Sequence, residues 1–140
     1  MAESVSAKPL LAAGACARGE LLRLTEPLSF WGGVDPKTGN IIQVRHAQAG
    51  QCIAGKVLAL PGTIGSSSSS AVLLELIRVG RAPAALLMAE PDAILLIACL
   101  AAREMDWPAP PAFKLPAARQ MRLAAGNFTI SKTGLLSRAT

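Results

Sequence analysis

Ala59-Leu60-Pro61-Gly62-Thr63-Ile64-Gly65-Ser66-Ser67-Ser68-Ser69-Ser70-Ala71-Val72-Leu73-Leu74-Glu75-Leu76 is the stretch on which the fold turns. An apolar run from Ile53 to Leu60 stops at Pro61-Gly62, a loop of small residues follows, and an apolar-periodic segment starts within the serines and continues to about Gly80. That order predicts a strand, a loop and a helix N-terminus. A helix start has backbone N–H groups without intrahelical partners and the positive end of the helix dipole. A carboxylate or phosphate placed there is favoured by roughly 0.3–2 kcal/mol. Serine is a preferred N-cap, so at least one of these hydroxyls has the ordinary task of satisfying the amide two or three residues on. A Gly/Ser run can also be a flexible linker, but a linker is not expected between a buried-looking strand and an amphipathic helix. Ser66 to Ser69 offer no lysine, so the Gly-x-x-x-x-Gly-Lys-Ser/Thr pattern of nucleoside triphosphate binding is absent. A small-anion site and hydroxyl chemistry both remain open.

The chain has 140 residues, enough for one domain with a single core. Its hydrophobic content of 51% with only 4% aromatics suggests close helix-on-sheet packing and surface buried on a partner. The net charge is +5, but the basic residues are scattered singly from Lys8 to Arg138, and no nucleic-acid footprint follows. Cys16, Cys52 and Cys99 are widely spaced, with no C-x-x-C pair and one histidine in the chain. No self-contained metal site is expected from that set, and free thiols suggest the cytoplasm. The stretch Leu10 to Cys16 has a slight likeness to a lipoprotein cleavage site, but its apolar part is short and Glu3 precedes it. The longest apolar run, Ala93 to Ala102, is about half the length of a bilayer span, so no membrane anchor is expected.

Residues 1–17 read as a flexible N-terminal segment and 18–140 as one domain. Gly19 to Leu24 and Ile41 to Val44 are expected strands, the second ending at Arg45-His46. Between them, Phe30-Trp31 precede Gly32-Gly33; the pair suits core packing and also a site wall, since paired glycines let backbone approach a ligand closely. Ala82 to Ala89 reads as a strand covered on both faces, and Asp92 to Glu104 as a second helix with an acidic start. Strand, helix, strand, helix implies a parallel crossover. Trp107-Pro108-Ala109-Pro110-Pro111 reads as a surface excursion. Met121 to Leu136 reads as two strands around Ser131-Lys132-Thr133-Gly134.

Pro27-Leu28-Ser29-Phe30-Trp31-Gly32-Gly33-Val34-Asp35-Pro36-Lys37-Thr38-Gly39, His46, Ile53-Ala54-Gly55-Lys56-Val57-Leu58, Gly65-Ser66-Ser67 and Ala82-Pro83-Ala84-Ala85 together resemble the small subunit, or swivel domain, of the aconitase X group. The likeness covers about Gly19 to Ala102. It implies an α/β fold of the swivelling β/β/α type. It also implies a hydro-lyase acting with a larger subunit whose cysteines hold an iron–sulfur cluster, on cis-3-hydroxy-L-proline or on 5-phosphomevalonate. By the same resemblance Ser66, after the glycine of the swivel loop, corresponds to the catalytic base, and Ser67 to a substrate-contacting neighbour. Better-known aconitases carry an arginine two residues after the base, where this chain has Ser68.

Gly65, Gly32 and Gly33 are therefore expected to line the substrate, with Arg45 and His46 as candidates for its carboxylate. Hydroxyproline is the favoured substrate because Pro61 to Ser70 contain no arginine or lysine for a phosphomonoester. The alternatives are phosphomevalonate, a non-catalytic anion-binding or assembly module, and a structural domain whose serines serve only as cap and linker.

Overall fold

The computed structural model describes residues 5–11 and 16–139. The expected mobile start and the cleavage-site-like stretch therefore fall partly outside the described residues. Among the described residues eight strands and three helices follow in the order β1 (Val5–Ser6), β2 (Lys8–Pro9), β3 (Ala17–Arg23), β4 (Val57–Leu60), α1 (Ser69–Arg78), β5 (Ala85–Met88), α2 (Ala93–Glu104), β6 (Ala112–Lys114), α3 (Ala117–Gln120), β7 (Asn127–Ile130) and β8 (Leu135–Arg138).

They form one mixed sheet in the order β1-β8-β7-β3-β4-β5-β6-β2. The pairs β3–β4, β4–β5 and β5–β6 are parallel, joined where a helix or long loop returns the chain; the others are antiparallel. β1 and β2 lie at opposite edges of this sheet, yet Ala7 alone separates them. The edges must therefore meet, and the sheet curls into a barrel-like shape. At the seam the Ala7 N–H donates to the Gly134 carbonyl at 2.8 Å. A Cβ on Gly134 would lie 2.0 Å from the Ala7 carbonyl, so the closure requires glycine there.

Alternation along the parallel strands feeds two apolar clusters. Leu58 and Leu60 of β4, with Leu86 and Met88 of β5, join Leu73 and Leu76 of α1 and Leu95 and Cys99 of α2. The intervening Val57, Ala59, Ala85 and Leu87 join Phe113, Phe128, Ile130 and Leu136 inside the curl. Strands covered on both sides read as continuous apolar runs, which is why β4 and β5 were visible in the sequence. Gln120, buried, places Nε2 3.1, 3.2 and 3.0 Å from the carbonyls of Leu60, Leu87 and Leu115, tying the ends of β4 and β5 just before the loops that follow them.

Three expectations need correction. Ile41 to Val44 is not a strand: Ile41 is buried and makes an isolated bridge to Val34, while Ile42 and Val44 are exposed. The Ile42 amide turns back to the Gly33 carbonyl at 2.8 Å, so local loop bonds replace a ladder. The proline-rich excursion packs Trp107 and Ala109 against the core and leads into β6, a strand the prolines concealed. Part of the irregular lead, residues 5–9, contributes the two edge strands instead.

Candidate functional site

The β4–α1 loop emerges from the carboxyl end of the parallel strands, where ligands commonly bind in open α/β sheets. Gly65 sits at φ +112°, a conformation that favours glycine, and its Cα face lies against Ser29; an added Cβ would come 2.9 Å from Ser29 Oγ. The chain then enters α1 through successive turns, with Ser69 N–H donating to the Ser66 carbonyl (3.0 Å) and Ser70 N–H to the Ser67 carbonyl (3.3 Å).

The five hydroxyls have different surroundings. Ser66 is half-buried, and its Oγ accepts from the Ser68 amide at 3.0 Å. The serine that satisfies an amide two residues on is thus Ser66 itself, whereas the formal cap, Ser68, makes no side-chain cap bond. Ser67 is exposed; Ser70 Oγ donates to the Ser67 carbonyl at 3.0 Å. Ser69 is buried, and its Oγ accepts from the Trp31 amide at 3.3 Å. α1 has no acidic residue in its first turn, so nothing there offsets the positive end of its dipole. A hydroxyl oxygen receiving an amide at a helix start is one whose anionic form is stabilised.

Two loops frame the serines. Leu28 bridges Thr63 in parallel, with Leu28 N–H to the Gly62 carbonyl and Ile64 N–H to the Leu28 carbonyl, each 3.3 Å. Ser29 N–H donates to Gln43 Oε1 (3.1 Å), and its hydroxyl donates to the Trp31 carbonyl (2.8 Å). Gly33 is buried against this turn, where a Cβ would meet the Ser29 carbonyl at 2.0 Å; around Gly32 (φ +79°) there is open space. On the other side Asp92 caps α2 through Ile94 N–H at 2.8 Å, while its second oxygen accepts from the Thr63 hydroxyl. Phe30 belongs to the core, but Trp31 is 58% exposed, and Ile64, Ile42 and Val44 are exposed on the same linked loops.

Sequence position misled at His46. Its ring is buried; Nδ1 accepts from the Gln48 amide at 3.0 Å, so Nε2 carries the proton and donates to the Glu26 carbonyl at 3.2 Å. Both nitrogens hold the 46–48 turn against Glu26 and leave none free for a ligand. Arg45 beside it is exposed. Ser29, Gln43 and Ser69 were not singled out from sequence, because their partners lie 14 or 38 residues away; Asp92 was read as the acidic start of α2, but not its bond to Thr63, 29 residues away.

Among the described residues no group of three or more His, Cys, Asp and Glu is placed to hold a metal ion. Cys16 is exposed, Cys52 donates to the Thr38 carbonyl at 3.4 Å, and Cys99 is buried in α2, so the described thiols do not fit a shared cluster. Burial pushes the Cys99 thiol up to about 11, opposed by the charge of Arg103. No helix among the described residues is long and apolar enough to cross a membrane.

The chain is 51% identical over 89 residues to a cis-3-hydroxy-L-proline dehydratase of Pseudomonas aeruginosa, covering 64% of this chain and 15% of that protein. It is 38% identical over 96 residues to a phosphomevalonate dehydratase small subunit of Methanopyrus kandleri, covering 69% of this chain and 71% of that one. A chain of the crystal structure of Thermococcus kodakaraensis aconitase X in its holo-form superposes with a TM-score of 0.83 at 26% identity over 99% of both chains. The family model described as the aconitase X swivel domain matches residues 6–133. With its curled mixed sheet and serine loop in place, the chain belongs to the aconitase X swivel-domain family.

Proposed function

We propose that this chain is the small subunit of a hydro-lyase that removes water from a hydroxy acid, cis-3-hydroxy-L-proline being the favoured substrate, with Ser66 as the base. The supporting observation is the Ser66 oxygen held by the Ser68 amide at the start of α1 in a swivel-domain relative of a hydroxyproline dehydratase. Elimination needs a proton taken from the carbon next to the carboxylate and departure of the neighbouring hydroxyl. A free serine is a poor base. An amide donor and an uncompensated helix start favour its alkoxide, which takes the proton as the C–H and C–O bonds break and the C=C bond forms; the departing hydroxide would be accepted by the Lewis-acidic iron of the larger subunit.

Ser67, next to Ser66 in the chain, and the backbone at Gly32, which has open space around it, are the proposed substrate contacts, and exposed Arg45 is the side chain proposed to meet the substrate carboxylate. The iron–sulfur cluster implied by the family is assigned to the larger subunit, since the described residues here do not fit one. The apolar rim of Trp31, Ile64 and Val44 suits burial against that subunit. A cytoplasmic location accompanies this reading.

The test is reconstitution with the large subunit and assay on cis-3-hydroxy-L-proline and 5-phosphomevalonate. The pair is expected to dehydrate the hydroxyproline, and this chain alone neither compound. Turnover of 5-phosphomevalonate instead would move the assignment to the function named for the Methanopyrus kandleri relative. Tight binding of carboxylates or phosphate by the isolated chain, with no turnover by the pair, would make it an anion-binding module.

A further inference from the structure

We infer that Ser69 is a positioning residue: its buried hydroxyl holds the Trp31–Gly33 turn to the first turn of α1 and so fixes where that turn stands relative to Ser66. This inference rests on the reading of Ser66 given above. Ser69 is 5% exposed, unlike exposed Ser67, so it is not available to a ligand. Its oxygen instead receives the backbone amide of Trp31, across 38 residues of sequence.

Phe30 of this turn packs in the core, but the turn's other side-chain hydrogen bonds do not reach α1. Ser29 N–H is bound to Gln43 Oε1, the Ser29 hydroxyl is turned to the Trp31 carbonyl, and Gly33 is wedged against the Ser29 backbone. Gly65, immediately before Ser66, lies against Ser29 Oγ on the same turn. The segment 29–33 thus touches the serine loop at two points, Gly65 and Ser69, one on each side of Ser66 along the chain. Without the Ser69 oxygen the remaining ties to the loop, the Leu28 bonds to Gly62 and Ile64 and the Gly65 contact, all precede Ser66, and the Trp31 end of the turn loses its polar tie to α1. The reacting hydroxyl would keep its own amide donor from Ser68 but lose a fixed neighbouring turn. Such misplacement raises the barrier of the chemical step more than it weakens binding.

Ser69→Ala separates this role from simple support, because alanine is the better helix former and leaves α1 intact. Backbone amide exchange on the full chain, resolved at Trp31, is read alongside kcat and KM of the complex with its large subunit. Loss of one hydrogen bond corresponds to about a tenfold change. The Trp31 amide is therefore expected to exchange about tenfold faster with α1 and β4 unchanged, and kcat to fall about tenfold with KM within about twofold.

Unchanged exchange at Trp31 overturns the coupling. A uniform rise across the sheet, or a faster Trp31 with kcat unmoved, overturns the positioning role. If the wild-type complex dehydrates no hydroxy acid, the parent assignment of function fails and the catalytic part of this inference falls with it, whereas the exchange result still decides whether Ser69 holds the turn.

Discussion

Gly65 and Ser66 carry the site's most stringent local demands. A Cβ at position 65 meets two objections at once, a φ of +112° and a contact of 2.9 Å to Ser29 Oγ. Gly65→Ala is expected to cost about 1–3 kcal/mol and to shift Ser66, measurable as a lower unfolding midpoint together with lost turnover. Single residues were also where the sequence was least legible. Glycine before serine pointed to Ser66 correctly as a loop position, but nothing local distinguishes Ser69, which differs only in facing Trp31. His46 shows the converse. Its neighbour Arg45 made it resemble a ligand-binding pair, while the bonds that engage it come from Gln48 and Glu26.

Among the elements, α1 and α2 were readable from their helical period, and β4 and β5 as continuous apolar runs. α1 buries Val72, Leu73, Leu76 and Ile77, and β4 and β5 are buried throughout. β6 escaped because three residues flanked by Pro110, Pro111 and Pro116 are too short to show alternation. Ile41 to Val44 failed for the opposite reason: β-branched content suggested a strand, yet no partner strand lies beside it. Asp92 joins two elements, capping α2 and accepting from Thr63 at the root of the serine loop. Asp92→Ala is expected to destabilise the chain by about 2 kcal/mol. Amide exchange should localise the loosening to the start of α2 and residues 62–64; a loss spread evenly over the sheet would contradict that role.

The whole molecule places a curled sheet behind a serine loop, with apolar packing on both faces of β4 and β5. The barrel-like closure could not be read from sequence, because strands of two residues carry no pattern and their pairing depends on the distant Gly134. Burial of Cys99 gives the packed chain an alkaline limit. The unfolded thiol ionises near its ordinary 9.0, the folded one at about 11, so the folded state keeps a proton that the unfolded state loses. That contribution is fully present below 9.0 and is lost as pH rises towards 11, on the order of 3 kcal/mol at most. Denaturant unfolding at pH 8 and pH 10.5 should show the fall, and Cys99→Ala should remove it. Exposed Cys16 is expected to react with a thiol reagent in the folded chain while Cys99 reacts only after unfolding.

The central claim is that the oxygen held by the Ser68 amide takes the substrate proton. Its most direct measurement is the single-turnover rate of the Ser66→Ala chain in complex with the large subunit, with complex formation verified by sedimentation. Removal of the base is expected to slow the chemical step by at least about a thousandfold while leaving assembly intact. A properly assembled Ser66→Ala complex that dehydrates substrate at near the wild-type rate would contradict the account.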